Sequence, residues 1–271
     1  MKIAIIGMGN MGSTFANGFI NSRFILPEDV LIYTRSQRVA NDSRNIHQLS
    51  YRYVLDSELS NRDIVIIAVK PQDFNQLALN LKPFLKPEQI VVSVMAGISI
   101  EGIKEKLGIT KVVRSMPNLP TQIGKGMTVF TASEELDRKE LFIIQNLINT
   151  TGKSVYVAEE NKIDAATAVS GSGPAYVFYF MQAMIQSALD FGFELSQAEL
   201  LVKQTISGAL GLYESNSLST QDWIAKVSSK GGTTEKAIAF FNQCDLEKSL
   251  IEGINKAKEQ SEYLGNKMNQ E

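Results

Sequence analysis

The stretch Ile3 to Gly12 reads IAIIGMGNMG. An apolar run leads directly into Gly7-x-Gly9-x-x-Gly12, and a helix-like MGSTFANGFINS follows. A continuous apolar run suits a strand covered on both faces, as in parallel sheets. Three glycines at this spacing are a weak signal alone; between a strand and a helix they match the dinucleotide fingerprint. The first glycine permits a tight turn, the second lets backbone approach a pyrophosphate, and the third lets helix and strand pack. The phosphates then lie on the helix N-terminus, against open amides. Gly7, Met8, Gly9, Asn10, Met11 and Gly12 are the expected phosphate loop.

Outward from this loop the alternation continues. VLIYTRS, DIVIIAVKP, IVVSVMAG and KVVRSMPN read as strands, with helical FNQLALNLKPFL and SIEGIKEKLG interleaved. Such alternation predicts an α/β fold with a parallel, doubly wound sheet of Rossmann type. The second half has a different period. Ala198, Leu201, Val202, Thr205, Ile206, Ala209, Leu210 and Tyr213 recur at three- and four-residue steps, as do Leu246, Leu250, Ile254 and Ala257. Six of the seven prolines lie before residue 121 and the last is Pro174. The expected organisation is a dinucleotide-binding domain over 1–160 and an all-α substrate and oligomerisation domain over 161–271. Helices apolar around much of their girth, as at Phe178, Tyr179, Phe180 and Met181, lie in a core or a subunit interface. A homo-oligomer through this half is expected.

Composition removes several function classes. The 271 residues carry a net charge of -2, which leaves no electrostatic footprint for nucleic acid or anionic membrane. Apolar runs such as Ile64 to Val69 fall well short of the ~20 residues of a membrane span. The opening MKIAIIG lacks a signal-peptide layout, so a cytoplasmic location is expected. Cys244 is the only cysteine and His47 the only histidine, which leaves no multi-Cys/His zinc site and no ready acid–base relay. Chemistry must rest on a cofactor, hydroxyls, lysines or backbone groups.

The second strand, VLIY, decides which dinucleotide is expected. NAD sites end this strand in Asp or Glu, gripping the ribose 2′-hydroxyl. Here it ends in Thr34, Arg35 and Ser36, with Arg38 close by. Arginine and hydroxyls suit a 2′-phosphate, so NADP(H) is favoured, with NAD(H) also admitted.

AVKP (Ala68, Val69, Lys70, Pro71), the VMAG stretch (Val94 to Gly97), RSMPN (Arg114 to Asn118), AVSGSGPAY (Ala168 to Tyr176) and KGGTT (Lys230 to Thr234) occur in this order. This series, after an N-terminal GxGxxG and spanning nearly the whole chain, resembles the pyrroline-5-carboxylate reductase family. The resemblance implies an N-terminal Rossmann domain and a helical C-terminal domain that dimerises, with larger rings of dimers common. It implies that Ala68 to Pro71 and Met95, Ala96 and Gly97 line the nicotinamide-ribose side. It further implies reduction of 1-pyrroline-5-carboxylate to L-proline by hydride from NADPH, the last step of proline biosynthesis. Taken alone, AVKP would serve as a strand stop. Gly171 and Gly173 mark either a kink or close helix crossing, or room for a substrate ring or partner helix.

The substrate needs a carboxylate site and a group near its ring nitrogen. Gly231, Gly232, Thr233 and Thr234, opening a helix, offer unpaired amides and the positive end of its dipole; alone they would read as a capped glycine turn. By resemblance, the Thr234 hydroxyl faces the ring nitrogen, and Glu160 aligns with a residue near the substrate. Lys230 stands where the family commonly has proline, and Lys226 replaces a residue type often seen at the cofactor. These departures leave a non-catalytic, NADP(H)-binding regulatory protein as the alternative. A β-hydroxyacid dehydrogenase relative would need a catalytic lysine early in the helical domain, and none lies between Lys162 and Lys203.

Overall fold

The computed structural model describes residues 1–35 and 49–270, with side chains described to 266. Ser36, Arg38 and His47 lie outside these residues.

Eight strands are described: β1 (Ile3–Ile6), β2 (Val30–Tyr33), β3 (Ser50–Arg52), β4 (Ile64–Ile67), β5 (Ile90–Ser93), β6 (Val112–Pro117), β7 (Gly126–Ala132) and β8 (Gly152–Tyr156). They form one sheet in the order β3-β2-β1-β4-β5-β6-β7-β8. Strands β1 to β6 pair in parallel, with Ile3 opposite Val30 on one side and Ile64 on the other. Alternate residues of β1 feed opposite cores. Ile3 and Ile5 pack with Phe15, Phe19 and Ile144, while Ala4 and Ile6 pack with Phe74, Leu81 and Ile103. This two-sided burial is why the strands read as unbroken apolar runs.

Helices α1 (Asn10–Asn21), α2 (Phe74–Leu81), α3 (Ile100–Leu107) and α4 (Arg138–Asn149) accompany the sheet. Helix α2 is shorter than FNQLALNLKPFL suggested. Pro83 has no amide to continue the ladder, and a 3₁₀ turn over Lys82–Phe84 takes over. The last two strands depart from the all-parallel expectation, because β7 runs antiparallel to β6. Only the 3₁₀ turn Leu119–Ile123 and its flanks connect them, too little chain for a parallel crossover. Strands β3, β7 and β8 and helix α4 add to the elements that the sequence pattern predicts.

The chain forms two compact units, Met1–Ser172 together with Ala257–Glu271, and Gly173–Lys256. The contacts thus divide after Ser172, whereas the sequence pattern divides at residue 160. In the first unit, α5 (Lys162–Ala166) leads into a π turn at Thr167–Gly171. Gly171 belongs to that turn, where an added Cβ would lie 3.2 Å from the Met116 methyl.

The second unit is helical: α6 (Gly173–Asp190), α7 (Leu195–Ser215), α8 (Thr220–Val227), α9 (Thr233–Gln243) and the start of α10 (Leu246–Gln270). Its apolar stripe is largely uncovered in the single chain. Only Ala198 and Val202 of α7 are buried, while Leu201, Leu210 and Tyr213 are about half exposed. Phe178, Tyr179 and Phe180 on α6 are exposed too. No helix among the described residues is long and apolar enough to cross a membrane.

Candidate active site

Strand β1 pairs with β2 on one side and β4 on the other, so the chain reverses its direction of travel there. In open α/β sheets such a switch point, at the carboxyl ends of the strands, is where ligands bind. The glycine loop occupies it. Gly7 has φ of +96°, and an added Cβ would lie 2.7 Å from the Ala68 carbonyl oxygen. At Gly12 an added Cβ would lie 2.0 Å from the Gly7 oxygen, so no other side chain fits between helix and loop. Gly9 differs from both, because an added Cβ meets nothing within 4 Å. Gly9 also caps α1 without any side-chain acceptor for the first-turn amides. The loop is an open cradle with donors along one wall, which fits a dinucleotide pyrophosphate. Asn10 is exposed and Met11 half-buried beside it. Met8 points its side chain into the core and is 4% exposed, leaving only its backbone to the cradle.

The AVKP loop follows β4 directly. Its Ala68 amide donates to the Ile6 oxygen at 2.8 Å, which ties it to the glycine loop. Val69 is half-buried and Lys70 exposed, and Pro71 opens the 3₁₀ turn Pro71–Asp73. The VMAG loop after β5 is more mixed. Ala96 is exposed, but the Met95 side chain lies in the core. Gly97 is buried with φ of +77°, and an added Cβ would sit 3.2 Å from the Gly265 Cα. Close packing against α10 accounts for that glycine.

At the end of β2 the Thr34 amide donates to the Arg52 oxygen at 3.0 Å. The Arg35 side chain is 85% exposed, yet its Nη2 lies 2.8 Å from Asp73 Oδ2. No carboxylate adjoins Arg35 in sequence; the fold supplies one from the loop after β4. Burial, then the hydrogen bond to Asp56, pushes the Tyr33 hydroxyl far above its ordinary range, so it stays a neutral donor.

Glu160 is committed to a network inside the first unit. Its Oε1 accepts from the Ile100 amide at 2.9 Å and from Arg114 Nη1 at 3.0 Å. Arg114 Nη2 reaches Asp164 Oδ1 at 3.2 Å, and the Ser261 hydroxyl donates to the same oxygen at 3.0 Å. Arg114 is 6% exposed, so its charge depends on these two carboxylates. The network fixes the start of α3, where a carboxylate suits the open helix end, and leaves Glu160 Oε2 free of described bonds.

In the second unit the KGGTT loop opens α9. Gly231 has φ of +75°, a backbone that favours glycine. Of the four amides expected for a carboxylate, two are engaged within the loop. The Gly231 amide donates to Glu235 Oε2 at 2.7 Å, and the Gly232 amide donates to the Ser229 oxygen at 2.9 Å. Thr233 and Thr234 begin the helix, with no side-chain cap from Gly232. Their amides are the open donors, and the Thr234 side chain is half-buried beside them. Glu235 occupies the third helical position, from which a glutamate commonly reaches back to an amide before the helix. Lys226 lies 5.2 Å from the Trp223 ring centroid, which accounts for that lysine locally.

The chain is similar to known proteins over nearly its whole length. A pyrroline-5-carboxylate reductase of Aquifex aeolicus is 32% identical over 268 residues, covering 97% of each chain. This chain belongs to the pyrroline-5-carboxylate reductase family. Pyrroline-5-carboxylate reductase 2 of Bacillus subtilis is 33% identical, covering 96% of this chain and 94% of that one. The family description pyrroline-5-carboxylate reductase dimerisation matches residues 160–264, and NADP oxidoreductase coenzyme F420-dependent matches residues 2–97. The exposed stripes of α6 and α7 fall within that dimerisation domain. Among solved structures, a Plasmodium falciparum pyrroline carboxylate reductase with NADP bound matches with a TM-score of 0.87, 27% identity and 98% coverage of both chains. A Coxiella burnetii pyrroline-5-carboxylate reductase matches with a TM-score of 0.89, 29% identity and coverage of 97% and 98%.

Proposed function

We propose that this chain is an oxidoreductase that reduces 1-pyrroline-5-carboxylate to L-proline with NADPH, the closing step of proline biosynthesis. Near-full-length family membership is the observation that carries the proposal. The reduced nicotinamide supplies the hydride when bound. The chain's own residues bind, orient and bias charge. The open cradle at Gly9, with the amides that begin α1, holds the pyrophosphate. Thr34, Arg35 and Ser36 take the 2′-phosphate end, and NAD(H) is accepted less well. Ala68 to Pro71 and Met95 to Gly97 take the nicotinamide-ribose side, Met95 through its backbone.

For the substrate, the amides of Thr233 and Thr234 hold the carboxylate, with Gly231 and Gly232 shaping the loop around it. The Thr234 hydroxyl faces the ring nitrogen, accepting from the N–H of the protonated imine and donating to the nitrogen lone pair that hydride transfer leaves. A cyclic imine carries a proton readily near neutrality, so orientation by a hydroxyl is enough and a strong general acid is unnecessary. Glu160 belongs to the substrate-binding residues by the same family likeness. The nucleotide residues belong to a domain over 1–160 and the substrate residues to a helical domain over 161–271. That helical domain pairs two chains, and dimers assemble into a ring. The protein works in the cytoplasm.

The test is the rate of NADPH absorbance loss with pyrroline-5-carboxylate for the unaltered protein and for Thr234→Ala. Loss of one positioned hydroxyl is expected to lower kcat by roughly a hundredfold, with the melting temperature unchanged. Equal kcat would remove Thr234 from the mechanism. NADPH binding without turnover by the unaltered protein would turn the assignment to the regulatory alternative.

A further inference from the structure

We propose that Asp73 sets the balance between NADP(H) and NAD(H) by competing for Arg35. The inference rests on the assignment of Arg35 to the ribose 2′-position, and concerns a residue which that assignment does not include.

Asp73 stands at the N-cap of α2 with helical φ and ψ of -87° and -9°, continuing the 3₁₀ turn Pro71–Asp73, so it lacks the extended backbone from which a carboxylate accepts from its own helix. Its side chain makes no such bond. It is turned instead to Arg35, with Oδ2 lying 2.8 Å from Nη2. The two residues come from loops at the ends of β2 and β4, the strands flanking β1, so the pair stands beside the cradle's own strand. Arg35 remains 85% exposed on its side chain and Asp73 34%. The guanidinium therefore keeps most of its donors open, and a planar fork of five N–H groups can serve two acceptors at once.

The chemistry of the pair follows from its charges. A ribose 2′-phosphate gains the Arg35 donors but meets the Asp73 carboxylate as a like charge. A ribose 2′-hydroxyl finds in Asp73 the acceptor that NAD sites place at the end of the second strand. The pair thus serves both cofactors, and Asp73 holds down the preference for the phosphorylated one. Removing its charge frees the guanidinium and removes the repulsion.

Calorimetric titration of the full chain with 2′,5′-ADP and with 5′-AMP tests this without turnover, since the two ligands differ only in the 2′-phosphate. Asp73→Asn keeps a residue suited to the N-cap. It is expected to raise the 2′,5′-ADP preference over 5′-AMP about threefold to tenfold, on the scale of an exposed ion pair together with a nearby like charge. Asp73→Ser is a second variant with the same cap chemistry and the same expected direction. Arg35→Ala is expected to lower the preference. An unchanged ratio in both Asp73 variants, with Arg35→Ala lowering it, would overturn the role of Asp73 and leave the Arg35 assignment standing. An unchanged ratio in Arg35→Ala would overturn both.

Discussion

The loop that carries Gly7, Gly9 and Gly12 and the one that carries Gly231 and Gly232 each lead into a helix whose first turn lacks a side-chain cap. The supports beneath them differ. In the N-terminal loop, Gly7 and Gly12 are fixed by backbone pressed against them, and Gly9 alone opens outward. In the C-terminal loop, an added Cβ at Gly231 meets nothing within 4 Å and one at Gly232 meets only Ser229 of the same loop, 2.5 Å from its Oγ; the loop is tied by Glu235 and by the Ser229 carbonyl. One loop is dictated by packing on a sheet and the other by its own polar bonds. A loop set by packing tolerates no change at its contact points. A loop set by local bonds can exchange one stiffening device for another. Lys230 illustrates this: the proline common in the family would fix one φ angle, and here the Glu235 bond to Gly231 restrains the same turn.

The packed N-terminal loop carries the largest expected effect. Gly12→Ala is expected to destabilise the chain by about 3 kcal/mol, because the new methyl must displace the Gly7 carbonyl. Denaturant unfolding would measure it, and an unchanged midpoint would mean that the loop is not built by packing. Gly9→Ala separates ligand from fold at the same loop. Its melting temperature should stay where it is, while NADPH affinity by fluorescence titration falls about tenfold as the methyl enters the cradle. A large fall in stability would show Gly9 to be a third packing residue. The smallest effect belongs to the C-terminal loop. Glu235→Ala is expected to raise the KM for pyrroline-5-carboxylate about threefold, the worth of one modest hydrogen bond. Glu235→Gln keeps an acceptor oxygen and should stay near the unaltered value. Equal behaviour of Ala and Gln would show that charge, and not the bond to Gly231, governs the loop.

Much of this was legible in sequence where a contact depends on near neighbours. The strand–glycine–helix context marked the cradle, because turn, approach and packing all act within ten residues. The apolar runs at β1, β2, β4 and β5 marked the parallel sheet, because both faces of those strands are buried. Legibility fell where partners are distant. Nothing at Arg35 announces Asp73, since a crossover through the sheet brings them together. Met8 and Met95 sit inside site motifs, yet their side chains serve the core, which motif spacing alone cannot separate from backbone contact. Strand β8, GKSVY, lies at a sheet edge and is partly exposed, so it carries no unbroken apolar run. Glu235 does carry a signal in sequence, a glutamate at the third helical position, next to the more conspicuous glycines and threonines.

The most direct test of the account is proline formed per NADPH consumed, by amino-acid analysis alongside nicotinamide absorbance, with the purified chain and pyrroline-5-carboxylate. One proline for each NADPH is the predicted result. Bound NADPH with no proline formed would contradict it.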